Sequence, residues 1–173
     1  MSDQYSVLSK NDEDLLADIF ARLTERVKAD PYGDDSTYAT AIRELPIGLR
    51  AMAATHHLDV SLTMDDIAWH FLNFGEPHFV KETELGLREL GLYKLADWFV
   101  EAFEIVNPVR AEIAAGVGYS KCLRNHGQMD RIDELTEKAR ESVPGAVRAS
   151  PIYDAWIKYA RQHPEKVFGG RNV

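Results

Sequence analysis

The apolar residues of this chain recur at three- and four-residue spacing from Leu15 almost to its end, with no stretch of strand-like alternation. That period is the signature of helices burying one face, and it constrains the fold more than any single motif. The clearest instance is the run after Asn11. Leu15, Ile19, Leu23 and Val27, joined by Leu16 and Phe20, form one stripe. Ser9 or Asn11 can cap the helix, Asp12, Glu13 and Asp14 suit the positive end of its dipole, and Asp30-Pro31-Tyr32-Gly33 ends it.

The same reading continues along the chain. A second helix is expected from Ser36 to His56 or His57, kinked or split at Pro46, with Ile42, Leu45, Leu49 and Met52 inward. Thr63 is expected to cap a helix from Met64 to Phe74, with Asp65 and Asp66 in its first turn. Residues 80–91 and 92–106 read as an antiparallel helical hairpin turning at Gly91. Its second arm carries a core stripe of Leu92, Leu95, Phe99, Phe103 and Val106. Residues 109–115 add a helical turn, and Gly116 to Gln128 reads as a loop. Met129 to Ser142 is a helix of mixed charge, and Ser150-Pro151 starts the last one, with Ile152, Trp156 and Tyr159 inward. The expected fold is all-α: a single domain over 1–173 of about seven helices, with loose termini at 1–8 and 167–173.

Composition narrows the class. The 173 residues are 45% hydrophobic, enough to bury a core. No apolar run approaches membrane-spanning length, and the N-terminus lacks the basic start and apolar core of a signal peptide. Cys122 is the one cysteine, so no internal disulfide forms. These features predict a cytoplasmic location. The net charge of −8 is uneven: residues 1–107 hold 20 acidic against 9 basic residues, whereas 108–173 hold 8 against 11. Clustered Lys and Arg are what the phosphate backbone requires, so direct nucleic-acid binding is not expected.

Few residues suggest chemistry. His56 and His57 are adjacent, and neighbouring helical residues point about 100° apart, which disfavours sharing one metal. Asp66 and His70 share a helix face at i, i+4, and His78 and Glu82 follow the next turn, so these four could assemble a mononuclear metal site. No HExxH or paired Glu-x-x-His motif supports it, and the plainer reading is a solvated Asp–His pair beside Trp69, Phe71 and Phe74. Cys122 and His126 are also four apart, in a segment read as loop, with neither a base nor an oxyanion hole in view. The glycines of GVGYSKC fit neither phosphate-loop template. No catalytic residue and no cofactor is expected.

The carboxylate stripes remain. Asp14 and Asp18 lie opposite the first helix's apolar face, and Asp97, Glu101 and Glu104 share a face of the 92–106 helix. These five are the expected contacts to a basic protein partner. In Met129–Ser142, Asp130, Glu134, Glu137 and Glu141 alternate with Arg131, Lys138 and Arg140, which reads as a salt-bridged, solvated face. Exposed aromatics such as Tyr93 and Trp98 offer a surface for a homodimer.

The segment TMDDIAWHFLNF followed by ETELGLRELGLYKLADWFVEAFEIV resembles a family of small bacterial all-helical domains of unknown function, one of which is an acidic DNA mimic. In that family an aromatic-rich helix ending in Phe-x-Asn precedes a helix whose glycine leads straight into the next. Phe71, Asn73, Leu87, Leu90, Gly91, Ala96 and Phe103 match that layout. The final IYDAWIKYARQHPEKVF is similar to the family's closing helix, and the likeness covers about half the chain. It implies a helical domain without catalytic residues, often dimeric, whose carboxylates occupy a DNA-binding protein. The expectation is therefore a non-enzymatic acidic interaction protein. The alternative is a small metal-binding protein or enzyme centred on Asp66, His70, His78 and Glu82.

Overall fold

The computed structural model describes residues 9–33, 35–141 and 151–169. Every regular element among them is helical: α1 (Asp12–Arg26), α2 (Thr37–Arg43), α3 (Ile47–Met64), α4 (Ile67–Phe74), α5 (Pro77–Glu89), α6 (Tyr93–Val106), a 3-10 turn (Asn107–Val109), α7 (Arg110–Ala114), α8 (Tyr119–Asn125), α9 (Met129–Arg140), α10 (Pro151–Gln162) and α11 (Pro164–Phe168). The all-α expectation is met, but with more helices than the expected seven. None of them is long and apolar enough to cross a membrane.

The extra elements have local causes. Pro46 splits the second helix outright, because its ring removes a backbone donor. The continuation α3 does not stop at His56 or His57, which lie in mid-helix, but runs on to Met64. The expected cap at Thr63 is therefore overturned: its hydroxyl donates back to the Asp59 carbonyl. Asp66 is the cap of α4, its carboxylate accepting from the Trp69 amide at 2.9 Å. Glu76 caps α5 by accepting from the His78 and Phe79 amides, so α5 begins at Pro77 rather than residue 80. The expected loop from Gly116 to Gln128 contains α8. The closing residues 167–169 are not loose, since Val167 on α11 is buried. Residues 1–8 and 170–173, with the expected cap at Ser150, lie outside the described residues.

The hub of the fold is α3. It packs against α1, α2, α4, α5, α9, α10 and α11. Leu49, Met52, Leu58 and Leu62 are buried on it, and so are Gly48, Ala51, Ala53 and Ala54. A helix apolar on nearly all sides is what a central position requires. Its small residues let neighbours approach closely. A methyl group on Gly86 of α5 would stand 2.9 Å from the Ala51 carbonyl oxygen. One on Gly48 would stand 2.6 Å from the Tyr159 ring. The close faces are tied by polar side chains, with Thr83 donating to the Ala54 carbonyl and the Trp156 indole N–H donating to Thr55, both at 2.9 Å. Buried polar groups placed so close to partners stabilise the packing they are part of.

Around this hub, α5 turns tightly into α6. Gly91 takes φ 78°, the left-handed conformation that ends a helix, and the Leu92 amide returns to the Leu87 carbonyl at 2.8 Å. The expected hairpin is present, and α6 also packs on α4 and α9. The short helices α7 and α8 pack on each other, on the 3-10 turn and on α9.

The α3–α5 contact gives a direct test. Gly86→Ala is expected to lower stability by about 1–3 kcal/mol, because the added carbon presses on backbone. Gly118→Ala, where a Cβ meets nothing within 4 Å, is expected to change it by less than about 0.5 kcal/mol. Urea denaturation midpoints compare the two.

Candidate functional site

The carboxylates read as a docking stripe are largely answered by the protein's own cations. Lys10 pairs with Asp18, Arg88 with Asp97 at 2.8 Å, and Arg131 with Glu101 at 2.6 Å. Asp14 is exposed and accepts from the Asn11 amide group at 3.0 Å, and Glu104 is exposed. The two stripes also sit in different surroundings, since α1 packs on α3 and α10 while α6 packs on α4, α5 and α9.

The four candidate metal ligands do not converge. Asp66 is committed to capping α4. His78 is exposed at the start of α5. Glu82 is 2% exposed and accepts from Arg43 at 2.7 Å and Arg50 at 2.6 Å, an ion triad that ties α5 to α2 and α3. His70 is fully buried, so the expected solvated Asp–His pair does not exist. Ser61 donates its only proton to the His57 carbonyl at 2.7 Å, so His70 donates Nδ1–H to Ser61 at 3.0 Å. Phe71, Phe74 and Phe99 surround the His70 ring. Burial, and then the neighbouring His57, push its pKa down to about 3. His57 stacks on Phe74 at 4.5 Å and is likewise pushed down to about 3, by burial and then by His56. Both act as neutral aromatic side chains of the core.

A different group of carboxylates does converge. A depression of about 350 Å³ lies between the α3–α4 junction and α9, lined by Met64, Asp65, Asp66, Asp133, Thr136, Glu137 and Arg140. Local chemistry builds it. Arg140 reaches back to donate to the Leu62 carbonyl at 2.9 Å and the Asp65 carbonyl at 2.8 Å, satisfying the C-terminal end of α3. Thr136 accepts from the Ile67 amide at 3.1 Å, fixing the start of α4. The Tyr119 hydroxyl of α8 lies 3.3 Å from carboxylate oxygens of both Asp65 and Asp66. Burial, aided by the charge of Asp65, holds the Asp66 carboxyl above its ordinary range, against the hydrogen bond from the Trp69 amide. Four carboxylates and one guanidinium thus line one concave surface, and the guanidinium is already engaged with backbone carbonyls and Glu137.

A second convergence lies on α7 and α8. Glu112 Oε2 accepts from the Cys122 thiol at 3.3 Å and lies 2.9 Å from His126 Nε2. Hydrogen bonding from His126, and then from Cys122, holds the Glu112 carboxyl below its usual range. Burial and the Glu112 contact push the Cys122 thiol up. The sequence showed the Cys122–His126 spacing but not Glu112, ten residues earlier, which only the turn between α7 and α8 brings to it. A surface cleft of about 780 Å³ lies between the α5–α6 turn and α10, with Leu90, Leu92, Tyr93, Lys94 and Lys158 on its walls. Tyr93 is exposed there, whereas Trp98 is half-buried.

Compared with family models, with characterised proteins and with solved structures, the chain matches none.

Two predictions follow from the buried ionisable groups. Glu82→Ala leaves Arg43 and Arg50 without their shared counter-ion, and is expected to cost about 2–3 kcal/mol in chemical denaturation, below the range for fully buried triads because both arginines reach solvent. His57 and His70, held near pKa 3, are neutral in the fold but become protonated in the unfolded chain below about pH 6.5. Their contribution is complete above that pH and is lost progressively as pH falls toward 3. The urea midpoint should therefore drop through this window, with a shallower slope in His57→Phe.

Proposed function

We propose that this chain is a non-enzymatic interaction protein that docks a basic protein partner through the depression between the α3–α4 junction and α9. One observation carries the reading: Asp65, Asp66, Asp133 and Glu137 line a single concavity against one arginine that is already hydrogen-bonded. A concave surface on which four carboxylates face one guanidinium, itself paired with Glu137, keeps a net negative potential and favours a Lys or Arg side chain entering it. Met64, 70% exposed at the rim, adds an apolar contact of the kind interface cores use.

This reading keeps the acidic partner surface expected from composition but moves its centre. Asp18, Asp97 and Glu101 are already paired, so a partner would have to displace Lys10, Arg88 and Arg131 to use them. Asp133 and Glu137 come from the slightly basic C-terminal part of the chain, and work by lying opposite Asp65 and Asp66. A basic surface that normally meets phosphates fits this chemistry, so a DNA-binding protein is the partner class favoured, in line with the DNA mimic among the domains the sequence resembles.

The test is capture from lysate by immobilised protein at low ionic strength. The double variant Asp133→Lys with Glu137→Lys is expected to lower partner recovery at least about tenfold, and raising the salt should release the partner from the native protein. Reversal of Asp97, Glu101 and Glu104 is expected to leave recovery within about twofold. Recovery indifferent to the Asp133 and Glu137 reversal would overturn the reading.

A further inference from the structure

We infer that Glu112, Cys122 and His126 form a binding site for a thiophilic divalent cation of the zinc class. The site is separate from the acidic depression, and the inference does not rest on the docking proposal.

The geometry is the argument. Cys122 and His126 stand one turn apart, at the middle and the C-cap of α8, so both project from one side of that helix. The chain reverses between α7 and α8 at Gly116, whose φ of 99° only glycine adopts without strain. That reversal lays Glu112 of α7 over the same side. One oxygen of Glu112, the Cys122 sulfur and one His126 nitrogen all lie within 4.8 Å of one another, and among the described residues no other three potential ligands do so.

These separations are close to those of a coordination shell. Bonds of about 2.0 Å to nitrogen and oxygen and about 2.3 Å to sulfur, at tetrahedral angles, put donor atoms roughly 3.3–3.6 Å apart. The sulfur–oxygen and nitrogen–oxygen distances here are 3.3 and 2.9 Å. Shifts of a few tenths of an ångström bring these two pairs to shell spacing, and the sulfur–nitrogen pair, within 4.8 Å, closes by rotation of the His126 side chain at the surface. The proton balance is simple. The Cys122 thiol releases its proton to solvent and binds as thiolate, the neutral imidazole binds through Nε2 with its proton on Nδ1, and Glu112 binds as carboxylate. Two anionic ligands neutralise a dication.

The donor set also selects the metal. A thiolate with imidazole and one carboxylate suits zinc and its tetrahedral surrogate cobalt, whereas magnesium and calcium require oxygen donors throughout. Cys122 is buried, while the side chains of Glu112 and His126 are 44% and 48% exposed. The sulfur thus anchors the site from within and the fourth position faces solvent, where water completes the shell. A loaded site would fasten α7 to α8, the part of the molecule that packs away from the α3 hub.

The experiment uses reduced, metal-free, full-length protein without a histidine tag, titrated with Co(II) and then with Zn(II) in competition. One equivalent of Co(II) should give a sulfur-to-cobalt charge-transfer band with intense visible bands of tetrahedral cobalt. Cys122→Ser should abolish the charge-transfer band. Because that position is buried, the exposed variants His126→Ala and Glu112→Gln, checked for unchanged circular dichroism, provide the second arm. Each should weaken Zn(II) binding at least about tenfold. Absence of the charge-transfer band, or stoichiometric zinc whose affinity neither exposed variant changes, overturns the site.

Discussion

Everything in this fold hangs on how closely other helices can approach α3. Gly86 of α5 lies against the backbone of Ala51, and Gly48 of α3 lies against Tyr159 and Val167. Small side chains at these crossings remove the usual spacer of bulky residues between helix axes, so backbone atoms come into contact. Dispersion gains rise steeply at such distances, and so does the penalty for any added atom. The close crossings also explain the polar ties. Thr83 reaches the Ala54 carbonyl because the axes are near enough for a short side chain to span them, and the Trp156 indole lies close enough to donate to the short side chain of Thr55.

Much of this was legible in the residues. Helix α1 reads directly, since its cap, acidic first turn and apolar stripe agree. Pro46 and Gly91 act where backbone chemistry says they must. What escaped reading has specific causes. The segment Thr63-Met64-Asp65-Asp66 offers two capping residues, and the choice between them belongs to Thr136 and Arg140, which arrive from α9. Glycines at 116, 118 and 127 suggest a loop, yet they bracket a helix whose Cys122 and Leu123 reach the core. Periodicity reports that a face is apolar but not how deeply it is buried, so His70 read as solvated while its ring lies among phenylalanines. The Glu82 triad and the Glu112 cluster depend on chain reversals, and no local spacing encodes them.

The distribution of charge carries a further lesson. The sequence concentrates its acidity in the first 107 residues, and a stripe of carboxylates on a helix looks like an available surface. Most of that stripe is consumed internally by arginines and a lysine. The depression beside α9, where carboxylates outnumber cations, is assembled from both parts of the chain. Two residues come from the acidic part and two from the part with a slight basic excess. Net charge over a segment is thus a poor guide to local potential, because potential depends on which charges face one another across a gap. The same holds for donor atoms: Cys122 and His126 gain chemical meaning only from a glutamate on another helix.

The position of α3 in the chain has a consequence for how the molecule comes into being. Its residues leave the ribosome well before two of the helices that cover it, α10 and α11. Until residues 151–168 leave the ribosome, the flank of α3 around Gly48 and Leu49 lacks the cover that Tyr159 and Val167 provide. While residues 65–150 are being made, a nascent chain therefore carries α3 without its full cover, a period when apolar surface invites association with other chains. The late helices act as the closing piece of the core. A nonsense mutation between residues 151 and 159 removes Tyr159 and Val167, and would be felt at the centre of the fold rather than at its edge.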